Sequence, residues 1–181
     1  MRVLAVLLWT FVSLGSAGAQ QLLLIQRTWT INASSQSSDC LAVGRDGSYH
    51  FERTPLDLGR PGQRQIHVGK LSDDEMKQLT AMLNDPALQS LTTPKPAPGF
   101  MTGGPDFELL WVLINRDGQS QFLNFDDTAG GNKISAGNRL PSVYQTAAMK
   151  PLMNWYKQIS KRKDDIDKTA APTCSIEVRQ R

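Results

Sequence analysis

Two Arg-Asp-Gly triplets, at 45–47 and 116–118, constrain this chain more than any other feature. Each stands between short runs that read as strands. An Asp-Gly pair in that position is a hairpin signal, because glycine accepts the positive φ that a tight turn between antiparallel strands needs. The first hairpin joins Cys40–Gly44 to Ser48–Arg53. The second joins Phe107–Ile114 to Gln119–Phe125. A chain with two such hairpins builds at least part of its fold as an antiparallel sheet.

Other segments add to that sheet. Leu22–Ile31 has period two, with Leu23, Ile25, Trp29 and Ile31 on one side and Gln26, Thr28 and Thr30 on the other. Gln65–Val68 reads as a further short strand. Phe107, Leu109, Trp111 and Leu113 alternate with Leu110, Val112 and Ile114. Apolar residues at both parities predict a strand covered on both faces. Asn32–Asp39 is Ser-rich, and Thr54–Arg64 holds two prolines and two glycines, so both are expected to be loops. The same holds for Thr92–Pro105 and for the Gly-rich stretch from Asp126 to Arg139.

Two helices are expected. Ser72 with Glu75 three residues on forms a capping box, and Leu71 and Met76 are placed for a hydrophobic staple. Met76, Leu79, Met82 and Leu83 recur at helical spacing, and Pro86 ends the run near Asn84. A short extra turn follows through Leu88 and Leu91. Pro141–Lys163 reads as helical, with Tyr144, Ala148, Leu152, Trp155 and Ile159 in phase. Pro151 starts a new helix there or kinks the old one. The fold class expected is α+β: an antiparallel sheet of about five or six strands with two main helices packed on it.

The first nineteen residues have a positive start at Arg2, an apolar run from Val3 to Leu14, and small residues from Ser16 to Ala19. These are the parts of a secretory signal peptide, and the run is shorter than the roughly twenty residues that span a bilayer. The organisation expected is a signal peptide at 1–19, a single domain at 20–163, and a linker and tail at 164–181. No membrane span is expected after cleavage, and the protein is expected to be secreted or periplasmic. Cys40 and Cys174 are the two cysteines of the chain. Export takes them to a compartment where disulfides persist, so a single bridge between them is the simplest reading.

Charge argues against one class of partner. Twenty Lys and Arg balance seventeen Asp and Glu, a net charge of +3, without the basic excess of a nucleic-acid binder. The two histidines, His50 and His67, have no metal-ligand spacing around them, so each reads as structural and no metal or cofactor is expected. The chain carries no Gly-x-Ser-x-Gly elbow and no phosphate loop. Asp106 and Glu108, two apart on a strand, share a face, and a small hydrolase using such carboxylates is the alternative function. The first expectation is a non-catalytic domain that binds a protein. Phe100 and Met101, apolar residues in a proline-rich loop, are its candidate contact residues.

Gly69-Lys70-Leu71-Ser72-Asp73-Asp74-Glu75, then Asp106-Phe107-Glu108, then Pro151-Leu152-Met153-Asn154-Trp155 follow one another in a characteristic order. That order, over roughly Cys40 to Ile159, resembles the emfourin family of small bacterial inhibitors of thermolysin-like metalloproteases. The family's early Ser-Gly-Gly-aromatic segment is missing; Ser37-Ser38-Asp39-Cys40 stands near that place. The resemblance implies kinship of fold and makes a protease the partner to consider.

Overall fold

The computed structural model describes residues 21–31, 35–57, 60–61, 64–94, 108–116, 118–126 and 142–162. Seven strands form one antiparallel sheet: β1 (Gln21–Ile31), β2 (Ser35–Gly44), β3 (Ser48–Asp57), β4 (Arg60–Pro61), β5 (Gln65–Lys70), β6 (Glu108–Arg116) and β7 (Gln119–Asp126). The order across the sheet is β4, β3, β2, β1, β6, β7, with β5 also paired to β3. Among the described residues three α-helices accompany it: α1 (Asp73–Leu83), the one-turn α2 (Pro86–Gln89) and α3 (Lys150–Ile159). The expected α+β class holds, and α1 and α3 are the two substantial helices.

Both turn glycines take a positive φ. Gly47 has φ 83° and Gly118 has φ 82°. In the first turn the Asp46 carboxylate accepts from the Ser48 amide at 3.0 Å and its hydroxyl at 2.6 Å. Those two bonds hold the Asp46 pKa below the usual carboxylate value.

Three sequence-based boundaries are corrected. Ser35–Asp39 is strand, because it pairs with β1 on one side and β3 on the other. Pairing on both sides overrides the weak strand preference of serine. β3 likewise runs on to Asp57 through Pro55. Pro55 falls between the pairings of β3 with β5 and with β4, where β3 is locally an edge and a proline is tolerated. The long helical reading from Pro141 shrinks to Lys150–Ile159, preceded by a turn and a 3-10 turn at Ala147–Met149. Pro151 opens α3 in its first turn, where its missing N–H costs nothing.

The register sorts the sheet into rows. On the helix side one row is Ile114, Leu23, Val43, Tyr49, and the next is Leu123, Val112, Ile25, Leu41, Phe51, His67. Leu79 and Leu83 of α1, Leu88 of α2, and Leu152, Met153, Trp155, Tyr156 and Ile159 of α3 close over these rows in one core. Each such fully buried aliphatic side chain contributes about 1.5–3 kcal/mol.

The helices are tied down at their ends. The Ser72 hydroxyl accepts from the Glu75 amide at 3.3 Å, and the Glu75 carboxylate accepts from the Ser72 amide at 2.8 Å. At the other end of α1, Arg116 Nε donates to the Leu83 carbonyl at 2.6 Å. Gln121 Nε2 donates to the Leu88 and Leu91 carbonyls, each at 2.8 Å. Strands β6 and β7 thus satisfy carbonyls that the helix ends leave without partners.

Candidate functional site

A third row on the helix side departs from the other two. It reads Phe125, Leu110, Arg27, Asp39, Arg53, Gln65 across β7, β6, β1, β2, β3 and β5. Phe125 and Leu110 are still buried. The next three positions carry charge at the parity that elsewhere carries Leu23, Ile25, Leu41, Val43, Tyr49 and Phe51.

Each charge has a partner. Asp39 is 1 % exposed. Arg53 grips it with both arms, Nε to Oδ1 at 2.7 Å and Nη2 to Oδ2 at 2.9 Å. The hydroxyl of Tyr156, from α3, donates to Oδ2 at 3.4 Å. Arg27 Nε donates to Glu108 Oε1 at 2.6 Å, and the same oxygen accepts from the Tyr144 hydroxyl at 3.1 Å.

Electrostatics follow from this arrangement. Burial opposes the charge on Arg27, but the hydrogen bond and charge of Glu108 outweigh it and hold its pKa above the ordinary value. The hydrogen bond to Asp39 raises Arg53 in the same way against a smaller burial effect. Burial pushes the Tyr156 phenol well above its ordinary value, and the charge of Asp39 adds to that.

The surface over this network is aromatic and cationic. The Arg27 guanidinium lies 4.6 Å from the Trp29 ring centroid, and Lys157 Nζ lies 5.2 Å from that of Tyr144. The Tyr144 residue is 44 % exposed. The Arg53 side chain is 40 % exposed against 1 % for its partner Asp39, and Arg27 is 27 % exposed against 18 % for Glu108. In each pair the cation is the more exposed partner, and Asp39 is fully covered.

The expected site residues fare differently. Phe100, Met101, Asp106 and Cys174 lie outside the described residues. Glu108 lies within the network, its Oε1 engaged by Arg27 and Tyr144. Cys40 is buried on the opposite face of the sheet, and no free cysteine occurs among the described residues. His50 Nε2 lies 3.2 Å from Glu52 Oε2, and the buried His67 ring lies 6.2 Å from that of Phe51. Among the described residues no group of three or more His, Cys, Asp or Glu is placed to hold a metal, and no helix is long and apolar enough to cross a membrane.

Arg27, Asp39, Arg53, Tyr144 and Tyr156 were not among the expected site residues. For the three strand residues the signal is parity: Arg27 shares the side of Leu23, Ile25 and Trp29, Asp39 that of Leu41 and Val43, and Arg53 that of Tyr49 and Phe51. No family model matches the sequence, and no curated protein matches it with significant similarity.

Proposed function

We propose that this chain is an exported, non-catalytic domain that holds a protein partner on the surface formed by Arg27, Trp29, Arg53, Tyr144 and Lys157. The observation that carries the reading is the layering of that surface. Arginine and aromatic side chains face outward, with Asp39 buried beneath Arg53 and Glu108 less exposed than Arg27. Tyrosine, tryptophan and arginine are the residue types that carry most of the binding energy at protein interfaces. Anchoring each guanidinium at one end reduces the entropy lost on binding.

Export is part of the same reading. β1 opens at Gln21, next to the expected mature start at Gln20. A Cys40–Cys174 bridge belongs to it as well, since the compartment reached is oxidising. The emfourin resemblance makes a thermolysin-like metalloprotease the first partner to try.

The test is a titration of mature chain into such a protease, following peptide hydrolysis and direct binding. Stoichiometric inhibition supports the reading. Tyr144→Ala, Trp29→Ala and Lys157→Ala should each weaken binding, with Tyr144→Ala costing about 2 kcal/mol if it is a hot spot. Binding unchanged in all three variants would place the contact elsewhere. Absence of binding would remove this class of protease as the partner.

A further inference from the structure

We infer that the C-terminal segment 163–181 covers the face of the sheet opposite the helices, held there through Cys174. The middle row of that face is Asn124, Trp111, Gln26, Cys40, Glu52 and Ile66, across β7, β6, β1, β2, β3 and β5. The helices α1, α2 and α3 pack on the other face, in the core with Leu23, Ile25, Leu41 and Val112. Among the described residues no helix lies over this row. An uncovered antiparallel face is solvated and polar. Yet Asn124, Cys40, Glu52 and Ile66 are each no more than 6 % exposed. Asn124 Oδ1 is also buried without a partner among the described residues. A buried amide oxygen calls for a donor, and the backbone of a segment lying across it has donors to give.

Three observations select the tail as that segment. Cys40 is at the centre of the row, and the other cysteine of the chain is Cys174. Cys174, Ile176 and Val178 alternate with Ser175 and Glu177, so an extended tail turns its apolar residues to one side. The reach is sufficient. The described chain leaves α3 at Arg162, whose guanidinium lies 5.7 Å from the Tyr49 ring centroid, on β3 beside β2. Twelve further residues span up to about 40 Å when extended. The five interstrand gaps from β5 to β7 amount to only about 24 Å.

The inference rests on the bridge proposed above, and the experiment separates the two. A peptide map of exported protein under non-reducing conditions reads the bridge alone. Hydroxyl-radical footprinting of the mature chain reads the cover. It compares wild type with the full-length variant Cys174→Ser/Ile176→Asp/Val178→Asp, whose fold is checked by circular dichroism. Labelling of Ile66 and Trp111 should rise several-fold in the variant while that of Leu23 and Ile25 stays low. Unchanged labelling in a folded variant would overturn the inference and assign the cover to another segment. Increased labelling with no bridge in the map would leave the cover standing and remove the bridge. Should the variant fail to fold, wild type decides. Ile176 and Val178 should be labelled several-fold less in native than in denatured protein, and equal labelling would overturn the inference.

Discussion

Arg53 and Asp39 form a two-armed pair, 2.7 and 2.9 Å long, in which the anion is buried and the cation is 40 % exposed. That asymmetry predicts unequal costs. Removing the cation strands a buried carboxylate, which costs about 3–5 kcal/mol where no water reaches it. Arg53→Met should therefore destabilise the domain by about 3 kcal/mol, the lower end, since Tyr156 still donates to Asp39. Asp39→Leu should cost less, because the freed guanidinium turns to solvent. The double variant should recover part of the Arg53→Met loss, giving a non-additive cycle. Urea melts of the four proteins measure this. Additive losses would mean the pair is not coupled.

Tyr156 makes the same network sensitive to alkali. Burial raises its phenol pKa above the ordinary value of 10.0. Above that pH the unfolded chain releases the proton while the folded chain keeps it. The folded state then binds more protons, so stability is full below about pH 10 and falls as pH rises. The slope from one such group approaches about 1.4 kcal/mol per pH unit. Tyr156→Phe removes the titrating group. Its stability should fall less steeply than that of wild type above about pH 10, with a constant offset between pH 6 and 9. Parallel curves across the whole range would refute the assignment.

The α1 cap carries more than its sequence pattern states. From the pattern alone, Glu75→Ala should cost less than Ser72→Ala, since it removes only the reciprocal bond. In the structure Glu75 Oε2 accepts from the Ser72 amide while Oε1 pairs with Arg162, just beyond α3. Glu75 thus ties α1 to the chain that leaves α3. Ser72→Ala should cost about 1 kcal/mol. Glu75→Ala should cost at least as much, and Arg162→Ala should remove most of the difference between them. Thermal melts of the three single variants, and of Ser72→Ala and Glu75→Ala each in the Arg162→Ala background, test this order.

What was legible in the sequence was whatever depends on neighbours in the chain. The capping box at Ser72–Glu75 and the positive-φ glycines Gly47 and Gly118 are local, and each stands where the sequence puts it; Pro151 falls in the first turn of α3, which starts at Lys150. Ser35–Asp39 was not legible as strand, because its strand character comes from partners in β1 and β3. The network was hidden for the same reason. Arg27, Asp39 and Arg53 are each odd only by parity within their own strands. Nothing short of the register places Arg27 opposite Asp39 and Asp39 opposite Arg53. Tyr144 and Tyr156 come to the network from a turn and a helix, 36 and 117 positions from Glu108 and Asp39, the carboxylates they bond. The Glu108 pairing with Arg27, 81 positions apart, is of the same kind.

The two turn glycines give a matched test of how a local signal becomes a tertiary one. Gly47 and Gly118 have nearly the same φ, 83° and 82°, so a side chain at either meets the same backbone penalty. For alanine in the left-handed region that is about 1–2 kcal/mol. Their surroundings differ. A Cβ on Gly118 would meet nothing within 4 Å, whereas a Cβ on Gly47 would lie 3.2 Å from Met76 Cγ of α1 and 3.5 Å from the Leu71 carbonyl. Gly47 is buried, and its own carbonyl accepts from the Leu71 amide at 2.9 Å. The first hairpin is therefore packed under the start of α1, and the second is not. Gly118→Ala should cost about 1–2 kcal/mol, the backbone term alone. Gly47→Ala should cost more, because Met76 must shift as well. Met76→Ala in the Gly47→Ala background should return part of that excess, and Met76→Ala with Gly118→Ala should simply add. Denaturant melts of the single and paired variants decide it. Equal losses at the two glycines would mean that the hairpin tip does not bear on the helix.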